Sequence, residues 1–145
     1  MRRRLHDESG NTLALFPAAV MVMFVLASMA IDAALTFSAQ RRLADIASAA
    51  ANDASSAVAE SVYFDPDDPR FEIDPVQAVD RVEDTLRHRP DADELNASCT
   101  NVDVSGDTVT VTCTGTVRQL ISPARFLGVT DRDIRARATA RAVRG

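Results

Sequence analysis

Residues 11–31 read NTLALFPAAVMVMFVLASMAI, without one charged side chain, and are stopped by Asp32. An α-helix rises about 1.5 Å per residue, so about 20 apolar residues cross a hydrocarbon core of about 30 Å. The run is that long. Beyond Asp32 the sequence AALTFSAQ stays apolar up to Arg41, so a tilted helix can set Asp32 at the interface or against a partner. Leu15, Phe16, Val20, Met21, Phe24 and Leu26 would cover every side of such a helix, whereas a soluble helix keeps a polar face. The run predicts a membrane span whose first partner is the lipid bilayer. Pro17, about six residues in, does not exclude it, because neighbouring groups can satisfy the freed backbone.

Two other readings compete. A signal peptide would use Arg2 to Arg4 as its basic region and Ser28-Met29-Ala30 as its cleavage site, but the apolar segment exceeds the roughly 7 to 15 residues of a secretory core. Cleavage after Ala30 would release a secreted domain. For a retained span, arginines stay in the cytoplasm: Arg2, Arg3 and Arg4 precede it closely, while Arg41 and Arg42 lie about ten residues past Asp32. This predicts a single-pass protein of a bacterial cytoplasmic membrane, with a cytoplasmic amino terminus and an extracytoplasmic remainder.

With the first 31 of 145 residues spent on targeting, the rest suffices for one small domain. The formal charge of −5 is unevenly distributed: +1 over residues 1–31, −2 over 32–64, −7 over 65–98 and +3 over 99–145. That balance argues against nucleic acid as a partner. The acidic middle and basic end can attract each other within one molecule or between neighbours. Cys99 and Cys113 both follow the span, and an oxidising compartment predicts a disulfide between them.

The chain divides into a basic leader at 1–10, a transmembrane helix at 11–40, an extracytoplasmic stem helix at 41–64, an acidic proline-rich linker at 65–75 and a small α+β domain at 76–145. In the stem, Leu43, Ile46, Ala47, Ala50, Ala54, Ala57 and Val58 recur at helical spacing. No Gly or Pro separates stem from span, so one helix from about Thr12 to Ser61 is expected, a rod of about 75 Å. Its small residues would admit a second helix closely. The linker breaks it with Pro66 and Pro69, and its acidic residues lack the glycine and final glutamate of a calcium loop. Asp74-Pro75 reads as cap and first position of a further helix, with Val76, Val79, Val82 and Leu86 on one face. From Cys99 the period becomes two, and NVDVSGDTVTVTCTGTV predicts a β-hairpin.

The hairpin poses a register problem. A three-residue turn at 105–107 sets Cys99 opposite Cys113 but puts Val102 and Val104 on the face opposite Val109 and Val111. A bulge in the first strand or a two-residue turn would restore a shared apolar face. Ser122-Pro123 starts a single helical turn ending at Gly128, with Phe126 and Leu127 as contacts. The closing stretch alternates Ile134, Ala136, Ala138, Ala140 and Ala142 with Arg135, Arg137, Thr139, Arg141 and Val143 and predicts a strand with an inward alanine row. Its arginines face water or form a basic lipid-binding strip. The fold class expected is α+β: a long amino-terminal helix, then an antiparallel sheet of about three strands packed on one or two helices.

No phosphate loop, nucleophile elbow or HExxH is present, and His6 and His88 lack catalytic companions or enough partners for zinc. The expectation is a non-enzyme without cofactor, metal or small-molecule substrate.

The stretch DESGNTLALFPAAVMVMFVLASMAIDAALTFSAQRRLADIASAAANDAS resembles the amino-terminal region of TadE/TadG-like proteins of tight-adherence (Flp-type) pilus systems. The shared order is a charged leader with glycine, an apolar span closed by Asp, and a Q-R-x-L-x-x-x-A-x-x-A-A stem, covering residues 7 to 55. The resemblance implies a pilin-like layout and an anchored pilus-assembly or secretion-system subunit, whose partners are other membrane subunits reached through the Ala-rich helix. Members cut by a prepilin peptidase carry Glu five positions after the cleavage glycine, whereas here Leu15 follows Gly10 at that distance, so processing between Gly10 and Asn11 is not favoured. A stand-alone extracytoplasmic binding module is the competing class. Intact-mass analysis of membrane-extracted protein is expected to find the full chain; loss of residues 1–10 or 1–30 would replace the anchor reading by a processed pilin or a secreted domain.

Overall fold

The computed structural model describes residues 9–58, 72–118 and 131–142. Helix α1 (Ser9–Ser55) runs through 47 residues without interruption, with Pro17 inside it. At 1.5 Å per residue it is a rod of about 70 Å. Its second half carries a buried face of Ala39, Leu43, Ile46, Ala47, Ala50, Ala51 and Ala54. The expected stem at 41–64 is therefore not separate from the domain as far as it is described. It is the central helix of the domain, and residues from Ala39 onward share one core with the sheet.

Helix α1 ends at Ser55, short of the expected Ser61. Ser55 and Ser56 hydroxyls donate to the carbonyls of Asn52 (2.7 Å) and Asp53 (2.6 Å), competing with continued helix. The chain then extends: Val58 bridges Ile73, and the Asp74 amide donates to the Ala57 carbonyl at 2.8 Å. The linker residues 59–71 and the expected turn at 122–128 lie outside the described residues.

Strands β1 (Ser98–Ser105), β2 (Thr108–Arg118) and β3 (Asp131–Arg141) form an antiparallel sheet in the order β1-β2-β3. The register problem is solved by using both available devices. Gly106, at φ +61°, opens a two-residue turn, a conformation suited to glycine. This pairs Val104 with Val109 and Val102 with Val111 on one face. A shift between Cys99 and Asn101 then leaves Thr100 as an extra residue and brings Cys99 opposite Cys113. Val109, Val111 and Cys113 are fully buried, and Ile134, Ala136, Ala138 and Ala140 continue the inward face on β3 against α1.

Helix α2 (Pro75–Arg87) begins as expected, with Asp74 Oδ1 accepting from the Val76 (2.9 Å) and Gln77 (3.4 Å) amides. Its buried face differs from the expected one. Ala78, Val82 and the half-buried Leu86 face the core, while Val76 is 71% and Val79 40% exposed. Ala78 lets α2 approach α1 closely, and the Thr85 hydroxyl fixes the rotation by donating to Asp53 Oδ2 at 2.7 Å. Turning this row inward carries the two valines out.

The short helix α3 (Pro90–Glu94) is closed by Asn96 at φ 44°, with the Ala97 amide bonding the Ala92 carbonyl at 2.8 Å. This end turns Leu95 onto the sheet. Its carbonyl accepts from the Thr116 amide at 2.8 Å, and a Cβ on Gly115 would lie 3.1 Å from that oxygen and 3.4 Å from Leu43 Cδ1. Two substitutions test this close packing. Gly115→Val and Ala50→Leu each overfill the helix–sheet contact and are expected to cost about 1–3 kcal/mol by chemical denaturation, while Val76→Ala stays within about 0.5 kcal/mol.

Candidate functional surfaces

Ten large apolar side chains between Leu15 and Ile31 are exposed, among them Phe16 (73%), Met21 (74%) and Phe24 (73%). At roughly 100 Å² apiece they present on the order of 1,000 Å² of apolar surface, well beyond the few hundred Å² a soluble monomer shows. The described helix from Leu15 to Ser55 has a hydropathy of 2.2 in its most apolar stretch, none of it buried against the rest of the molecule. Helix α1 is thus apolar and long enough to cross a membrane. Two of its hydroxyls fold back onto the helix, Ser28 donating to the Val25 carbonyl at 2.8 Å and Thr36 to the Asp32 carbonyl at 2.9 Å. Gly10 and Asn11 fall in the first turn of α1.

Asp32 is half-buried, and Thr36, one turn later, is buried. This pair marks where the bare part of the helix gives way to the packed part. Next, on an outward face, the Arg41 guanidinium lies 5.0 Å from the centre of the Phe37 ring. A cation over an aromatic ring at i, i+4 suits a position that is apolar on one side and wet on the other. The spacing was visible in the sequence; that both side chains point away from the core was not.

The outer face of the sheet is polar. Thr108, Thr110, Thr112, Thr114 and Thr116 form its middle row by the alternation of β2. On β3, Thr112 faces Arg137 and Thr114 faces Arg135, and both arginines are exposed. A shallow cleft of about 410 Å³ opens there, lined by Asn101, Asp103, Thr110, Thr112, Arg135 and Arg137. At the far turn, Arg141 Nε donates to Asp107 Oδ2 and the Thr108 hydroxyl to Oδ1. The hydrogen bond from Arg141, then that from Thr108, holds the Asp107 carboxyl below the ordinary carboxylate range.

The remaining carboxylates with visible partners serve structure. Arg89 grips both oxygens of Asp91 at 3.1 Å and reaches the Asp45 carbonyl at 3.4 Å, while Arg42 meets Glu94 at 3.1 Å. Both contacts tie α3 to α1. They join partners 44 and 52 residues apart, which no local spacing reveals. His88 Nδ1 lies 2.9 Å from the Asp84 carbonyl at the exposed end of α2. His6 lies outside the described residues. Among the described residues no group of three His, Cys, Asp or Glu is arranged to hold a metal.

Cys99 and Cys113 are bonded, stapling the edge strand β1 to the central strand at the bulge. Cys113 is fully buried and Cys99 is half-buried. Comparison with protein-family models, with curated proteins and with solved structures finds no match.

The bond closes a loop of 14 residues, for which chain entropy gives about 3 kcal/mol. Protein denatured without reductant is expected to show no labelled thiol, and the Cys99→Ser, Cys113→Ser double variant to lose about 2–4 kcal/mol in urea. Two free thiols in the unreduced protein would remove the staple.

Proposed function

We propose that this chain is a single-pass, membrane-anchored structural subunit, amino terminus in the cytoplasm and α+β domain outside, serving pilus or secretion-system assembly in the manner of TadE/TadG-like proteins. The observation that carries the anchor is the division of α1: bare and apolar from Leu15 to Ile31, then buried on one face against a sheet from Ala39. A helix of that kind is stable only if lipid or other helices cover its first half. The long amino-terminal helix whose far half packs on an antiparallel sheet supports the pilin-like layout that the resemblance implies. The span resemblance and the arginines before it support the assembly role and the orientation.

A tethered binding module is the second reading, favoured by the threonine and arginine cleft on the outer sheet face. The two part on a genetic test. A reporter fused after Gly145 is expected to be active only outside the cytoplasm. Deleting the coding sequence is expected to abolish surface fibres while growth continues; fibres that persist would leave only the binding module, and reporter activity confined to the cytoplasm would reverse the orientation.

A further inference from the structure

The height of the sheet along α1 can be read from two contacts. At one end, the Asp74 amide bonds the Ala57 carbonyl at 2.8 Å and the Ile73 amide bonds the Gly106 carbonyl at 3.1 Å, so the β1–β2 turn stands beside the end of α1. At the other, Gly115 lies against Leu43. Strand β2 therefore runs back along α1 toward the span. From Gly115 to Arg118 is three residues, about 10 Å of strand. From Leu43 to Phe37 is six residues, about 9 Å of helix.

The end of the sheet, where Arg118 pairs with Asp131 and Val117 with Arg132, thus stands level with Phe37 and Arg41. This level matters because Asp32 closes the charge-free run. From Asp32 to Phe37 is about 7.5 Å of helix, and the headgroup layer on each side of a bilayer is about 5–8 Å thick. With Asp32 at the hydrocarbon boundary, the described end of the sheet stands at the outer edge of the headgroup layer.

Resting on the anchored reading above, we infer that the span-side end of the sheet is a membrane-apposed surface, seated on the phospholipid headgroups of the bilayer that α1 crosses. Arg118 and Arg132 are exposed at that rim, together with Asp131 and Asp133, while Arg41 is exposed on α1 beside them. Arg42 and Glu94 satisfy each other. The rim is of mixed sign, matching headgroups that carry a phosphate and an amine, with the arginines directed to phosphate. On this inference the arginines of β3 would not act as one lipid-binding strip. Arg135, Arg137 and Arg141 climb away from this end along the strand, and Arg141 reaches the far turn, where it binds Asp107.

The test uses the full chain, with its disulfide intact, reconstituted in phosphatidylethanolamine and phosphatidylcholine vesicles containing a nickel-chelating headgroup lipid. Nitroxide labels are placed singly through Arg118→Cys, Asp131→Cys and Ser105→Cys. The expected result is loss of signal amplitude by headgroup nickel at positions 118 and 131, with none at 105, which lies about 30 Å farther out along the strand. Labels at 118 and 131 as unaffected as that at 105, in protein that floats with the vesicles, would overturn the apposition and leave the anchor standing. Protein that fails to float would remove the anchor itself. A label that unfolds one rim position is exposed by its loss of melting cooperativity, and the other rim position then gives the result.

Discussion

Everything in this molecule depends on one backbone hydrogen-bonded rod meeting two different surroundings. Along the bare stretch from Leu15 to Ile31 the helix carries its backbone pairing internally apart from the bond that Pro17 removes, and the Ser28 hydroxyl folds back onto the Val25 carbonyl. Along its second half, one face must meet a sheet. The same residue class serves both needs. Alanine is the best helix former, so it extends the rod without a break, and it is small enough that Ala47, Ala50, Ala51 and Ala54 let the sheet come close. Bulk enters at Leu43 and Ile46, and Leu43 meets Leu95 and the sheet at Gly115.

The sheet meets this rod through a compromise between two demands on one hairpin. Apolar burial requires the four valines to share a face, and the disulfide requires Cys99 to face Cys113. Strict alternation from a single turn type cannot meet both. The tight turn at Gly106 meets the first, and the extra residue at Thr100 meets the second, at the place where the strand is about to leave the sheet. Bulges are easily carried at edges, where one side of the strand has no ladder to disturb.

Local chemistry was legible in the sequence. The face running from Leu43 to Ala57, the Asp74 cap, the period of the strands and the alanine row of β3 all follow from spacing alone, because each is decided within one element. What escaped was decided between elements. Val76 and Val79 fit a helical stripe with Val82, yet the contact of Ala78 and Thr85 with α1 sets a different rotation. The end of α1 was displaced by serine hydroxyls that compete with helix and by a bridge to Ile73, a partner 15 residues away. That the stem helix packs into the domain's core escaped for a similar reason. An amphipathic pattern shows that a face is covered, not what covers it. The candidate surfaces divide likewise: the bare span was evident from composition, whereas the height of the sheet against it needed the Gly115 and Gly106 contacts.

If α1 crosses a bilayer as proposed, anchor and core helix are one object, and the domain has no hinge of its own among the described residues of α1. Any lean imposed on the buried half is transmitted undiminished to the other. An inclination of about 20°, ordinary for a spanning helix, would swing the Gly106 turn sideways by about 10 Å relative to the rim nearest the span. In an anchored chain the glycine tip would be the far end of a lever, and bilayer thickness or crowding by neighbouring helices would be a mechanical input to where that tip points.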